Sequence, residues 1–230
     1  TATLVGEDLM LTAGHCVINE KECAKSRFVF GFMIKDAGGS APSSVATKEV
    51  YACAKVVNRY VNRTDKSVLR ADYALVRLDR KVTGHRIVPI AREDGLAKGD
   101  ALFMFGYSVG LPLKVVGGAR VRDPASDSGF FLADLDAFPG DSGGPVFNER
   151  TNAIVGILSS GDQDFKLNKS ETCAIANRIG RDEGQGEGVT RVAPLRSMIP
   201  IPSPLSTGAP SAARPFTSPK SENMTSLREL

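Results

Sequence analysis

A serine set among glycines, in Gly140-Asp141-Ser142-Gly143-Gly144-Pro145, offers a hydroxyl on a turn whose backbone amides suit a developing negative charge. A serine hydroxyl is a poor nucleophile near neutral pH. Such a loop therefore needs a neutral imidazole to take the proton and a carboxylate to orient that imidazole. The chain has 2 histidines. His15 lies in Leu11-Thr12-Ala13-Gly14-His15-Cys16, where the apolar run Leu9-Met10-Leu11 meets small residues, so it is expected just past a strand end. His85, in Thr83-Gly84-His85-Arg86, has no motif around it and reads as a surface residue.

The carboxylate is expected at Asp72, in Ala71-Asp72-Tyr73-Ala74-Leu75-Val76-Arg77-Leu78. Period-two alternation puts Ala74, Val76 and Leu78 on one strand face and Tyr73, Leu75 and Arg77 on the other, with Asp72 at the strand's mouth. Asp65 and Asp79 are rival orienters, but Asp65 lies in a polar loop and Asp79 at the far strand end. Taken singly, each motif also has a plain structural reading: a glycine turn, a histidine beside a cysteine, an acid at a strand terminus.

The elements that must position these residues are strands. Short apolar runs separated by Gly, Pro, Asn and Asp recur at 1–5, 9–12, 28–34, 50–58, 73–78, 101–107, 114–121, 130–132, 145–147 and 153–159, and long helical periodicity is absent. The expected fold class is all-β. Alternation fades over 88–100, which predicts a passage between two halves, 1–90 carrying His15 and Asp72 and 91–197 carrying Ser142. A cleft between them is a natural place for a pocket. The stretch from Gly161 to Gly188 is rich in charge and reads as surface loops. Residues 198–230, with Pro200, Pro202, Pro204, Pro210, Pro215 and Pro219 among Ser, Thr and Ala, read as a disordered tail.

At His15, Asp72 and Ser142 the chain resembles the chymotrypsin-fold serine peptidases, which carry Thr-Ala-(Ala/Gly)-His-Cys, Asp-(Ile/Tyr)-Ala-Leu and Gly-Asp-Ser-Gly-Gly-Pro in that order. The resemblance extends over about residues 1 to 196, on three ordered motifs. It implies two antiparallel six-stranded β-barrels and a serine endopeptidase acting through an acyl-enzyme, with the amides of Gly140 and Ser142 forming the oxyanion hole. It also implies that Asp136, six residues before the nucleophile, lies at the base of a specificity pocket and suggests preference for Lys or Arg, although bacterial glutamyl-endopeptidase-like members carry acids there too. Ser159, Ser160 and Gly161 match the strand lining that pocket, and Gly188 to Val192 its next wall. A catalytically silent homologue acting as a binding module is the rival reading, and an esterase on the same scaffold is a third.

No organic cofactor or metal is expected. The formal charge of +3 is a balance of 29 basic and 26 acidic residues without a basic run, so neither nucleic acid nor a membrane span is expected, and the protein is expected to be a monomer acting on protein or peptide substrates. Four cysteines, Cys16, Cys23, Cys53 and Cys173, allow three pairings. Cys16 with Cys23 and Cys53 with Cys173 is the favoured set, the first closing a loop beside His15 and the second tying the halves together; four reduced thiols are the alternative. Disulfides imply a secreted or periplasmic protein. In animal relatives the cysteine after the histidine pairs with one upstream, which this sequence does not contain, and this points to the bacterial branch. The chain begins at Thr1 without a signal peptide, so a trimmed product with an incomplete first barrel is expected. In zymogen-activated relatives the acid before the nucleophile binds a released N-terminal amine; Thr1 is too close to His15 for that, so the resemblance implies either that an upstream segment is absent or that Asp141 is ordered by another route.

Overall fold

The computed structural model describes residues 1–61, 71–93, 95–124 and 129–202. Thirteen strands dominate it: β1 (Thr3–Leu4), β2 (Leu9–Thr12), β3 (Arg27–Val29), β4 (Val50–Val61), β5 (Asp72–Leu78), β6 (Ala101–Gly106), β7 (Lys114–Asp123), β8 (Phe130–Ala133), β9 (Pro145–Asn148), β10 (Ala153–Ser160), β11 (Phe165–Leu167), β12 (Ala174–Ala176) and β13 (Glu187–Arg191). The N-terminal half is an open five-stranded sheet in the order β1-β2-β5-β4-β3. The C-terminal half is a closed six-stranded barrel in the order β10-β13-β8-β7-β6-β9, and β11 and β12 form a separate hairpin. The fold is all-β, with one closed barrel and one curled half-barrel.

The alternation in β5 holds, and it serves two cores. Ala74, Val76 and Leu78 join Leu4, Met10 and Val17 inside the N-terminal sheet. Tyr73 and Leu75 face the other way and join Leu9 and Leu11 with Phe103, Phe147, Ile154 and Ile157 of the barrel. The two halves are therefore joined by shared apolar burial, the dominant favourable term in packing. Phe103 and Phe147 stack there with ring centroids 4.7 Å apart. The barrel's own interior is built on Leu102, Met104, Phe131, Val146, Leu158 and Val189.

Several elements depart from the sequence reading. A short helix, α1 (Glu20–Lys25), appears where no helix is expected; Asn19 caps it by accepting the Glu22 N–H, and acids occupy its first turn and Lys25 its last. The expected strand over 28–34 ends at Val29, because Gly31 takes a positive φ of 77° and Met33 N–H bonds back to the Gly31 carbonyl. The charged stretch after Gly161 contains the β11–β12 hairpin as well as loops, and its end enters the barrel as β13. At the start of the expected tail, Ile199 is buried in the core between the halves, and the Arg92 guanidinium holds the carbonyls of Arg196, Ile199 and Pro200. The rest of that tail, from 203 onward, lies outside the described residues, as does Asp65.

The cysteine pairing is also corrected. Cys23, on the buried side of α1, is bonded to Cys53 on β4, and both are shielded from solvent. Cys16 and Cys173 are free and exposed. Helix formation decides this: α1 turns Cys23 inward onto β4 and away from Cys16, while Cys173 belongs to the outlying hairpin segment. Among the described residues no helix is long and apolar enough to cross a membrane, and no group of three or more His, Cys, Asp or Glu side chains is placed to hold a metal ion.

Candidate active site

The end of β2 delivers His15 and the mouth of β5 delivers Asp72, since the two strands pair with Thr12 opposite Ala74. The backbone then curls so that the His15 N–H donates to Asp72 Oδ1 at 2.9 Å while His15 Nδ1 stands 2.5 Å from Asp72 Oδ2. This double engagement orients the ring. It needs the intervening glycine: a Cβ at Gly14 would come within 2.7 Å of Asp72 Oδ1 and of the carbonyl oxygens of Tyr60 and Tyr73. Arg59 Nε ties the Gly14 carbonyl to β4 at 2.7 Å.

Asp72 is 2% exposed. Its backbone N–H donates to Thr190 Oγ1 on β13 at 2.9 Å, Thr190 donates to Ser159 Oγ at 3.1 Å, and Ser159 donates to the Gly188 carbonyl at 2.9 Å. This chain of hydroxyls crosses between the halves and anchors the acid from the barrel side. Thr190 is quoted in sequence only as part of a pocket wall, and its role in anchoring Asp72 has no sequence signal, because the contact joins residues 118 positions apart. Asp79, the rival at the far end of β5, accepts the Ala52 N–H and pairs with Arg80, away from His15.

The imidazole is raised above its ordinary value of 6.5, first by Asp72 and then by the Cys16 thiol, with burial opposing. Burial raises the Cys16 thiol, yet His15, the Thr1 amine and Thr12 together lower it by more, and the net effect is to lower it. Cys16 Sγ is also 4.0 Å from the Ser142 carbonyl oxygen. The neighbour of the histidine is thus part of the site's electrostatics, which sequence reading treated only as a disulfide partner.

Ser142 follows β8 and precedes β9, on a half-buried turn. Gly140 has a φ of +100°, a conformation that side chains rarely adopt. The Asp141 N–H bonds to the Phe138 carbonyl and the Gly143 N–H to the Leu158 carbonyl, whereas the amides of Gly140 and Ser142 donate to no protein acceptor among the described residues. The carbonyls of the same two residues are engaged by Thr1: that of Gly140 accepts from Thr1 Oγ1 at 2.7 Å and lies 3.1 Å from the Thr1 nitrogen, and that of Ser142 lies 3.0 Å from the same nitrogen. Among the hydrogen bonds of the described residues, His15 bonds to Asp72 and none joins it to Ser142 Oγ.

Asp136 is solvent-exposed, and its carboxyl is raised by partial desolvation and then by Asp141, with Arg178 opposing. Ser160 ends β10 and Gly161 follows it, leading into Asp162 and Asp164, and the Asp136 charge acts on both Asp164 and Glu187. Glu187 closes this group: its carboxyl packs against Gly161, and burial, then Asp164 and Asp162, push it up to about 8. In the sequence reading Glu187 falls without distinction in the charge-rich stretch from Gly161 to Gly188.

Among known families, the model of the trypsin-like peptidase domain matches residues 1–157. No curated protein matches the chain. Among solved structures, the scabies mite inactivated protease paralogue S-I1 is similar over 86% of this chain and 84% of its own, at 18% identity and a TM-score of 0.55. Kallikrein-related peptidase 10, in complex with Zn2+, is similar over 86% of each chain, at 17% identity and a TM-score of 0.51. The active form of the Rv3671c protease from M. tuberculosis covers 90% of this chain and 76% of its own, at 19% identity and a TM-score of 0.49.

Proposed function

The chain belongs to the trypsin-like peptidase family, and from that membership we propose that it is a serine endopeptidase that cleaves peptide bonds through an acyl-enzyme on Ser142. The observation that carries the reading is the buried Asp72 carboxylate gripping both the ring and the backbone N–H of His15.

In this mechanism Ser142 Oγ attacks the scissile carbonyl carbon and its proton passes to His15 Nε2. Asp72 holds the tautomer with the proton on Nδ1 and stabilises the imidazolium that forms. The oxyanion is taken by the Gly140 and Ser142 amides, which have no competing protein acceptor, and such a donor is worth about 3 to 4 kcal/mol of transition-state stabilisation. The imidazolium then protonates the leaving amine as the tetrahedral intermediate collapses. Water enters by the same route in reverse and releases the acid, restoring Ser142 and neutral His15.

Specificity for Lys or Arg belongs to the same proposal. It rests on Asp136, Asp162 and Asp164 near the end of β10, acids whose negative charge favours a cationic side chain, while Glu187, pushed up to about 8, is mostly neutral near pH 7. A secreted or periplasmic location is proposed from the Cys23–Cys53 bridge, because such bonds persist in oxidising compartments.

The absence of a Ser142–His15 hydrogen bond is the observation that favours the silent-homologue reading. Catalytic hydrogen bonds in unliganded sites often tighten only with substrate bound. Intact-mass analysis after treatment with a fluorophosphonate decides between the readings: one adduct, lost in Ser142→Ala, is the expected result for a peptidase. No adduct on the wild type, with no turnover of Lys or Arg peptide amides, would overturn the peptidase reading in favour of a catalytically silent homologue.

A further inference from the structure

Asp141, next to the nucleophile, is fully buried. Its Oδ2 accepts from Ser108 Oγ at 2.7 Å and from the Phe138 N–H at 3.0 Å, while Oδ1 is buried against Gly106 with no partner. A buried carboxylate with so few donors is costly to hold, so each remaining hydrogen bond has leverage over whether the group stays in place. Among the described residues Ser108 supplies the single side-chain donor.

The residue after Ser108 acts on the same loop. Val109 N–H donates to the Pro139 carbonyl at 2.6 Å. The peptide joining Pro139 to Gly140 is trans, so tying its carbonyl to Val109 directs the Gly140 N–H to the opposite side. Val109 does this from a left-handed conformation, φ 48° and ψ 30°, which a β-branched residue adopts only when its surroundings impose it. Segment 108–110 and the turn 138–141 are thus clasped at two points, one on each side of the amide assigned to the oxyanion.

Building on the serine-peptidase reading above, we infer that Ser108 is a positioning residue for the oxyanion hole: its hydroxyl holds the Asp141 carboxylate in the interior and thereby keeps the Gly140 amide aimed at the substrate carbonyl. Ser108 touches no reacting atom. Its effect runs through Asp141 and the Phe138–Gly140 backbone, so it governs the chemical step and leaves substrate binding largely unchanged.

The test compares wild type, Ser108→Ala and Ser108→Thr in two measurements, amide hydrogen exchange across residues 138–144 and kcat and KM on a peptide amide. Loss of the hydroxyl should speed exchange in that turn at least tenfold and lower kcat at least tenfold, with KM within twofold of wild type. Threonine, which keeps the donor, should restore both. Wild-type exchange and kcat in Ser108→Ala would overturn the inference, and so would a loss of kcat that Ser108→Thr leaves unrestored. Ser108→Cys, of similar volume and weaker donor strength, takes the place of Ser108→Ala if that variant does not fold, with a smaller change in the same direction expected. A wild type that fails to react with the fluorophosphonate defeats the peptidase reading, and the exchange comparison still decides whether Ser108 clasps the turn.

Discussion

Asp72 holds His15 twice, through Oδ2 to the ring nitrogen Nδ1 at 2.5 Å and through Oδ1 to the backbone N–H at 2.9 Å. One carboxylate thus sets both where the histidine stands and how its ring is turned. Asp72→Asn retains the volume but can present its amide N–H to Nδ1, which selects the tautomer unable to take the serine proton. We expect kcat to fall about ten-thousandfold with little change in KM, measured by steady-state hydrolysis of a peptide amide.

The acid limb of activity should lie above pH 6.5, because Asp72 and Cys16 both favour the imidazolium and catalysis needs the neutral ring. Cys16→Ala removes one of these influences. The limb in a kcat/KM against pH profile should therefore move to lower pH in the variant, and an unmoved or raised limb would contradict the role given to Cys16. The linked stability has the opposite dependence: with the folded-state value raised, the His15–Asp72 contribution is fully present below the unfolded value and is lost as pH rises through the folded one.

Glu187 should make the protein less stable in alkali. Its folded value of about 8 lies above the ordinary 4.5, so the folded state binds more protons than the unfolded state between them, and stability falls as pH rises across that window. Glu187→Gln keeps the shape and abolishes the ionisation. Thermal unfolding should show the variant gaining on wild type as pH rises from 5 to about 8, with the midpoints converging at the acid end.

Cys23 and Cys53 close a loop with a sequence separation of 30. Replacing both by alanine should cost about 3 to 4 kcal/mol of unfolding free energy from the lost loop constraint, read from urea denaturation with and without reductant. Peptide mapping without reduction should find the Cys23–Cys53 linkage, and alkylation of the native protein should label Cys16 and Cys173, which are exposed.

Much of the fold was legible in local pattern. The alternation of β5 announced a strand with two distinct faces, and both are buried, one in the N-terminal sheet and one against the barrel. The helix α1 escaped notice because six residues are too few for a 3.6-residue period to emerge, and its signal was the Asn19 cap with acids behind it. Strand β3 looked longer in sequence because Phe30, Phe32 and Ile34 continue an alternation that Gly31 breaks in space. The disulfide was misread for a related reason: loop length says which cysteines are near in the chain, and a helix decides which one faces the sheet.

The sequence by itself determined the chemistry on offer, a serine in a glycine turn with a histidine and an acid at strand ends, because side-chain type and strand period are local properties. Tertiary structure alone decided what surrounds those groups. Thr190 anchoring Asp72 across 118 residues, Glu187 packed on Gly161 and Ser108 holding Asp141 all join segments distant in the chain. Such contacts depend on how the sheet and barrel pack together, and desolvation and hydrogen bonding at a site are properties of that packing, with no local pattern to announce them.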